Sequence, residues 1–186
     1  MVSTYGVVVI SDLSSEESAR ALRARIVDVL TRQWREMSGS GPIDELWTAI
    51  VEVEGGARLT VSAPGMIADR AEREFFTGAD QGRAVVCEDS DEYGVQFGVW
   101  KLGSEGPSLV YRLYAQDEEY EADQGSIARQ VRGADAATRA ARVFDVDPGA
   151  LIDLDSDTAP VVGEIGFVGS PFIPLLNALN LQWPER

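Results

Sequence analysis

An α+β fold built on a mainly antiparallel sheet is predicted by three features of this sequence. Short runs of strand length, apolar or alternating, recur through the first 115 residues. Glycine-rich turns join two pairs of them: Gly55-Gly56 and the stretch Gly103 to Pro107 (GSEGP). Capped stretches of helical spacing fall between and after the strands. With 186 residues, 45% of them apolar, the chain suffices for one well-filled core, so a single α+β domain over 1–186 is expected.

The first strand is Tyr5 to Ser11 (YGVVVIS), ending at the turn-prone Ser11 and Asp12. Ser14 and Glu17 make a capping box, and Ala19, Leu22, Ile26, Val29, Leu30, Trp34 and Met37 follow on one helical face. After the loop Ser38 to Pro42, the residues Trp47, Ala49, Val51 and Val53 alternate with polar positions. Ala57, Leu59 and Val61 alternate again beyond Gly55-Gly56, which reads as a hairpin. Ile67, Ala71 and Phe75 predict a shorter helix closed near Gly78, and Arg83 to Cys87 a fourth strand. The order βαββαβ is that of a ferredoxin-like core, a reading that rests on element order alone.

An extra hairpin follows. With Gly103 to Pro107 as its loop, Trp100 faces Val110, Gly98 faces Arg112 and Gln96 faces Tyr114, while Val99, Phe97 and Val95 face Tyr111, Leu113 and Ala115. One face is then wholly apolar and the other mixed. Ile127, Val131, Ala134, Thr138 and Ala141 predict helix, broken at Gly133, and Asp147-Pro148-Gly149 the start of another. Residues 145–186 are expected to form an acidic loop and an apolar extension packed on the domain, closed by a helix with Ile173, Leu176 and Leu179 or Leu175 and Leu179 as its buried face. Ile165 to Trp183 carries no charge, but its glycines, prolines and amides make a poor membrane span.

Composition excludes more than it assigns. A formal charge of −15 repels nucleic acid and anionic membranes and attracts a basic partner or a cation. Fifteen of the 16 basic residues are arginine and Lys101 is the one lysine, a bias that coding composition or a salty environment also produces. Without histidine there is no imidazole base, no histidine metal ligand and no Ser-His or Cys-His pair, so the reading leans against an enzyme. The lone Cys87 cannot form an internal disulfide, and Glu88 and Asp89 beside it are the wrong neighbours for an activated thiol. With no basic leader or cleavage site visible after Met1, a cytoplasmic location is expected.

Two groups of acids draw notice. Asp153 to Glu164 (DLDSDTAPVVGE) has carboxylates at the first, third, fifth and twelfth places, the spacing of a calcium loop. Thr158 stands where that loop needs glycine, and Pro160 where it needs an N–H. Asp153, Asp155 and Asp157 still suit a looser calcium or magnesium site. The second group comes from the hairpin, whose register sets Asp89, Asp91 and Glu92 beside Asp117, Glu118 and Glu119 at one end of one sheet. Trp100, Arg112 and Tyr114 on its mixed face supply material for a binding hot spot.

The expected function is that of a non-enzymatic acidic interaction protein, of the inhibitor, immunity or adaptor kind. Asp89, Asp91, Glu92, Trp100, Arg112, Tyr114, Asp117, Glu118 and Glu119 would meet a basic macromolecular partner. The alternative is a carboxylate-based divalent-metal protein, a calcium- or magnesium-dependent hydrolase or a calcium-stabilised binder. A carrier of a small ligand on Trp100, Arg112 and Tyr114 is a third.

Overall fold

The computed structural model describes residues 6–38, 43–65, 69–116 and 129–185. It is an α+β protein with a six-stranded antiparallel sheet in the order β2-β3-β1-β4-β5-β6. The strands are β1 (Gly6–Leu13), β2 (Trp47–Val53), β3 (Gly56–Pro64), β4 (Gly82–Asp89), β5 (Val95–Leu102) and β6 (Ser108–Ala115). The helices are α1 (Glu16–Ser38), α2 (Asp69–Phe76), α3 (Ala134–Phe144), α4 (Gly149–Ser156), α5 (Ala159–Val162) and α6 (Ile173–Ala178). Residue contacts divide the chain into two compact units: Gly6–Val86 with Lys101–Ser108, and Cys87–Trp100 with Leu109 onward.

In the first unit β1 and β3 run antiparallel, with Val9 opposite Val61 and Ser11 opposite Leu59. Cross-strand partners share a face, so Val7, Val9, Ser11 and Leu13 join Ala57, Leu59, Val61 and Ala63 in one buried layer. Against the sheet packs α1 through its Ala19, Leu22, Ile26, Val29 and Leu30 stripe. That stripe ends before Met37, which is exposed. The cap of α1 is Ser15, one residue later than the predicted Ser14, because Ser15 Oγ accepts the Ser18 N–H at 3.1 Å. The first strand also outruns its predicted end. Asp12 stays in β1 because Arg58 on β3 holds its carboxylate at 2.6 and 3.0 Å and Arg83 on β4 at 3.1 Å.

The β2–β3 turn is Glu54-Gly55 rather than Gly55-Gly56, since Val53 pairs with Gly56. Gly55 sits at φ 79°, the left-handed value that the third residue of a type II turn needs. Gly78, two residues past the end of α2, lies in the same region of backbone space, and Phe75 and Phe76 of the helix are buried edge to face.

In the second unit the helix predicted to start at Asp147-Pro148-Gly149 is α4, which carries the acidic stretch as far as Ser156. Asp147 Oδ1 accepts the Gly149 N–H at 2.8 Å, as a capping side chain does. Val131, predicted in a helix, is extended and exchanges backbone bonds of 2.8 and 3.0 Å with Arg112, so α3 begins only after Gly133. Leu175, Leu176, Leu179 and Leu181 are buried while Ile173 is not, and Phe172 stacks on Trp183 at 5.7 Å. Among the described residues no helix is long and apolar enough to cross a membrane.

Candidate functional site

β4 runs two residues beyond its predicted end because Glu88 and Asp89 find partners as they enter the interior. Glu88 Oε2 accepts the Gln96 side-chain amide at 3.4 Å, and Asp89 Oδ1 accepts the Asp91 N–H at 2.8 Å. The second bond is an Asx turn, which starts the reversal into the 3₁₀ turn Asp91–Tyr93. Asp91 takes φ 57°, a conformation aspartate tolerates better than most residues. The Ser90 N–H to Gly94 carbonyl bond of 2.9 Å closes the loop.

This loop lies against the end of β6. The Tyr114 hydroxyl is 2.8 Å from the Tyr93 carbonyl oxygen and 2.9 Å from Gln116 Oε1, and its single proton serves one of these acceptors at a time. Gly94 has φ 109°, and a Cβ there would stand 2.6 Å from the Ala115 carbonyl oxygen. Glycine is required on both counts. The start of β5 thus lies beside residues 114–116, the neighbourhood the hairpin register predicts.

The predicted partner-binding residues separate into three groups. Asp91 is partly exposed on the turn, Glu92 lies on the same turn, and the neighbouring Tyr93 is 53% exposed. Asp89 is buried, and Asp117, Glu118 and Glu119 fall outside the described residues. Trp100, Arg112 and Tyr114 retain only 4%, 6% and 9% of their surface, so they present no face to a partner or small ligand in this arrangement. The mixed face of the hairpin is buried along most of β5 and β6.

The predicted metal ligands separate as well. Asp153 and Asp155 are two positions apart on a helix, which turns them to different sides. Asp153 is exposed, and Asp157 has left the helix, its Oδ1 accepting the Ala159 N–H at 3.0 Å. Asp155 is buried and serves the interior. Its Oδ1 accepts the Tyr111 hydroxyl at 3.0 Å and Arg132 Nε at 3.1 Å, its Oδ2 accepts the Gly133 N–H at 3.0 Å, and Arg132 Nη2 also reaches the Asp155 carbonyl. Among the described residues no group of three or more acidic or thiol side chains could hold a metal ion.

Tyr111 is wholly buried. Burial first, then the charge and hydrogen bond of Asp155, push its hydroxyl well above the ordinary tyrosine range, which keeps it a donor. The arrangement ties α4, β6 and the segment before α3 into one polar hub. Sequence reading missed it because Tyr111 and Asp155 are 44 positions apart. The available signal was Asp155 itself, flanked by Leu151 and Leu154 at core spacing rather than standing on a polar loop.

Two features belong to the first unit. Between the residues before β4 and the GSEGP turn lies an open concavity of about 790 Å³ lined by Asp80, Gln81, Lys101 and Glu105 among others. At the Asp12 cluster, burial raises the carboxyl pKa, but hydrogen bonds and charge from Arg58 and then Arg83 outweigh it, and the result lies below the usual aspartate value. Comparison with protein-family models, curated proteins and solved structures finds no match to this chain.

Proposed function

We propose that this chain is a non-enzymatic interaction protein whose acidic sheet end engages a basic macromolecular partner. One observation supports the reading above the others: the Ser90–Gly94 loop is bonded to the end of β6 through Tyr114 and Tyr93 at 2.8 Å. Asp91 and Glu92 therefore stand on a turn held near Gln116, the residue that in sequence precedes Asp117, Glu118 and Glu119. No Lys or Arg interrupts either run. Tyr93, next to Glu92 in sequence and more than half exposed, offers an aromatic contact beside the charge.

A formal charge of −15 extends the attraction beyond the contact itself, speeding encounter with a basic surface and disfavouring acidic competitors. The lack of histidine leaves the site without the commonest proton-transfer group, which fits binding better than catalysis. The strand order β2-β3-β1-β4, with its two antiparallel pairs, supports a ferredoxin-like core as the scaffold.

The test is affinity capture on the immobilised full chain at low and at high salt. A basic protein retained at low salt and released at high salt is the expected result, because the Debye length shrinks from about 10 Å at 0.1 M to about 3 Å at 1 M. Retention that ignores salt, or recovery of no basic protein, overturns the proposal.

A further inference from the structure

β2 is the last strand on its side of the sheet, and its register with β3 shows which of its backbone groups point outward. The two-residue turn makes Val53 and Gly56 a hydrogen-bonding pair, so by alternation Val51, Ala49 and Trp47 also bond toward β3. Glu52, Ile50 and Thr48 then direct their N–H and C=O groups away from the sheet. Among the described residues, no backbone hydrogen bond is made to that edge. The strand is seven residues long, without proline and rich in β-branched residues, and Val51 is 52% exposed on it. Such an edge is a template for a further strand.

Charge selects the occupant. Asp44 and Glu45 precede the strand, Glu52 and Glu54 close it, and no Lys or Arg occurs between Arg35 and Arg58. A second copy, paired antiparallel about Ile50, would set Glu54 of each chain opposite Leu46 and beside Glu45 of the other. Like charges so placed oppose self-pairing. We propose that the β2 edge binds an extended segment of a partner protein, with apolar side chains at alternate positions and arginine or lysine at both ends, as an added antiparallel strand. Outward groups of Thr48, Ile50 and Glu52 supply the main-chain bonds, Trp47 and Val51 flank the apolar side chains, and the terminal carboxylates meet the basic ends. The site shares no residue with the Ser90–Gly94 loop, so it stands or falls separately from the acidic sheet end.

The probe is the capped peptide Arg-Val-Thr-Val-Thr-Val-Arg carrying a fluorophore, titrated with the full chain by fluorescence polarisation. The control is the same peptide N-methylated at alternate residues, which keeps charge and side chains and removes the main-chain donors. The N-methylated peptide is expected to bind at least tenfold more weakly. Ile50→Pro, which deletes an outward donor at the position where an edge strand tolerates proline, is expected to weaken the unmodified peptide at least tenfold. Glu52→Arg with Glu54→Arg is expected to weaken it at least fivefold and to reduce its salt dependence. Should Ile50→Pro fail to fold, the comparison of the two peptides on the unaltered chain decides the matter alone. Equal binding of both peptides overturns the proposal. So does a monomer–dimer equilibrium that Ile50→Pro abolishes, because a second copy would then own the edge.

Discussion

Replacing Asp155 with alanine removes the acceptor for three donors at once, and the cost follows from where each donor would be left. The Tyr111 hydroxyl is wholly buried and has no water to turn to, so its loss is that of an unsatisfied buried donor, about 1–3 kcal/mol. The Gly133 N–H loses a bond of 3.0 Å to a charged group, for about 1 kcal/mol more because it lies near the surface. Arg132 has 32% of its side chain exposed and regains hydration, so it adds about 1 kcal/mol rather than the full cost of an orphaned buried charge. The sum is about 3–5 kcal/mol, which at about 2–4 °C per kcal/mol for a chain of this size lowers the melting temperature by about 6–20 °C. Tyr111→Phe removes one donor and leaves Asp155 two, so about 1 kcal/mol is expected. The assay is chemical denaturation of both single variants and the double variant, followed by circular dichroism. A coupling energy of about 1–2 kcal/mol is expected between Tyr111 and Asp155, because the alanine variant has already lost what the phenylalanine variant removes. Additive effects, or a loss under 1 kcal/mol for Asp155→Ala, would refute the hub.

Asp12 titrates below its unfolded value, so its contribution is present above about pH 4 and is lost as pH falls through the folded pKa. Asp12→Asn should therefore cost about 1–2 kcal/mol at neutral pH and flatten the acid limb of a stability-against-pH curve; parallel limbs in wild type and variant would contradict this. Ser11 is fully buried in β1, and among the described residues its hydroxyl oxygen has no hydrogen-bond partner. Ser11→Ala should thus raise the melting temperature by about 2–4 °C, and a drop would show that the hydroxyl is satisfied.

Much of the fold was legible because its signals are local. The GSEGP loop falls where glycine and proline spacing places it, between β5 and β6, and the α1 stripe follows its 3.6-residue period down to Leu30. What escaped depends on partners distant in sequence. Asp12 reads as a turn residue until Arg58 and Arg83 are seen to hold it in a strand. Asp155 reads as a metal ligand until helix geometry turns it inward to Tyr111 and away from Asp153. Trp100, Arg112 and Tyr114 show the limit of alternation as a signal: a period of two locates a sheet face but is silent on what packs over it.

The central claim is that acids gathered at one end of the sheet bind a basic partner. The most direct measurement sets the wild type beside Asp117→Asn/Glu118→Gln/Glu119→Gln and compares their affinities for the basic protein captured at low salt. Neutralisation is expected to weaken binding at least tenfold at low salt, with the two affinities converging as salt rises. Equal affinity at every salt concentration would show that the acidic sheet end is surface charge without a partner.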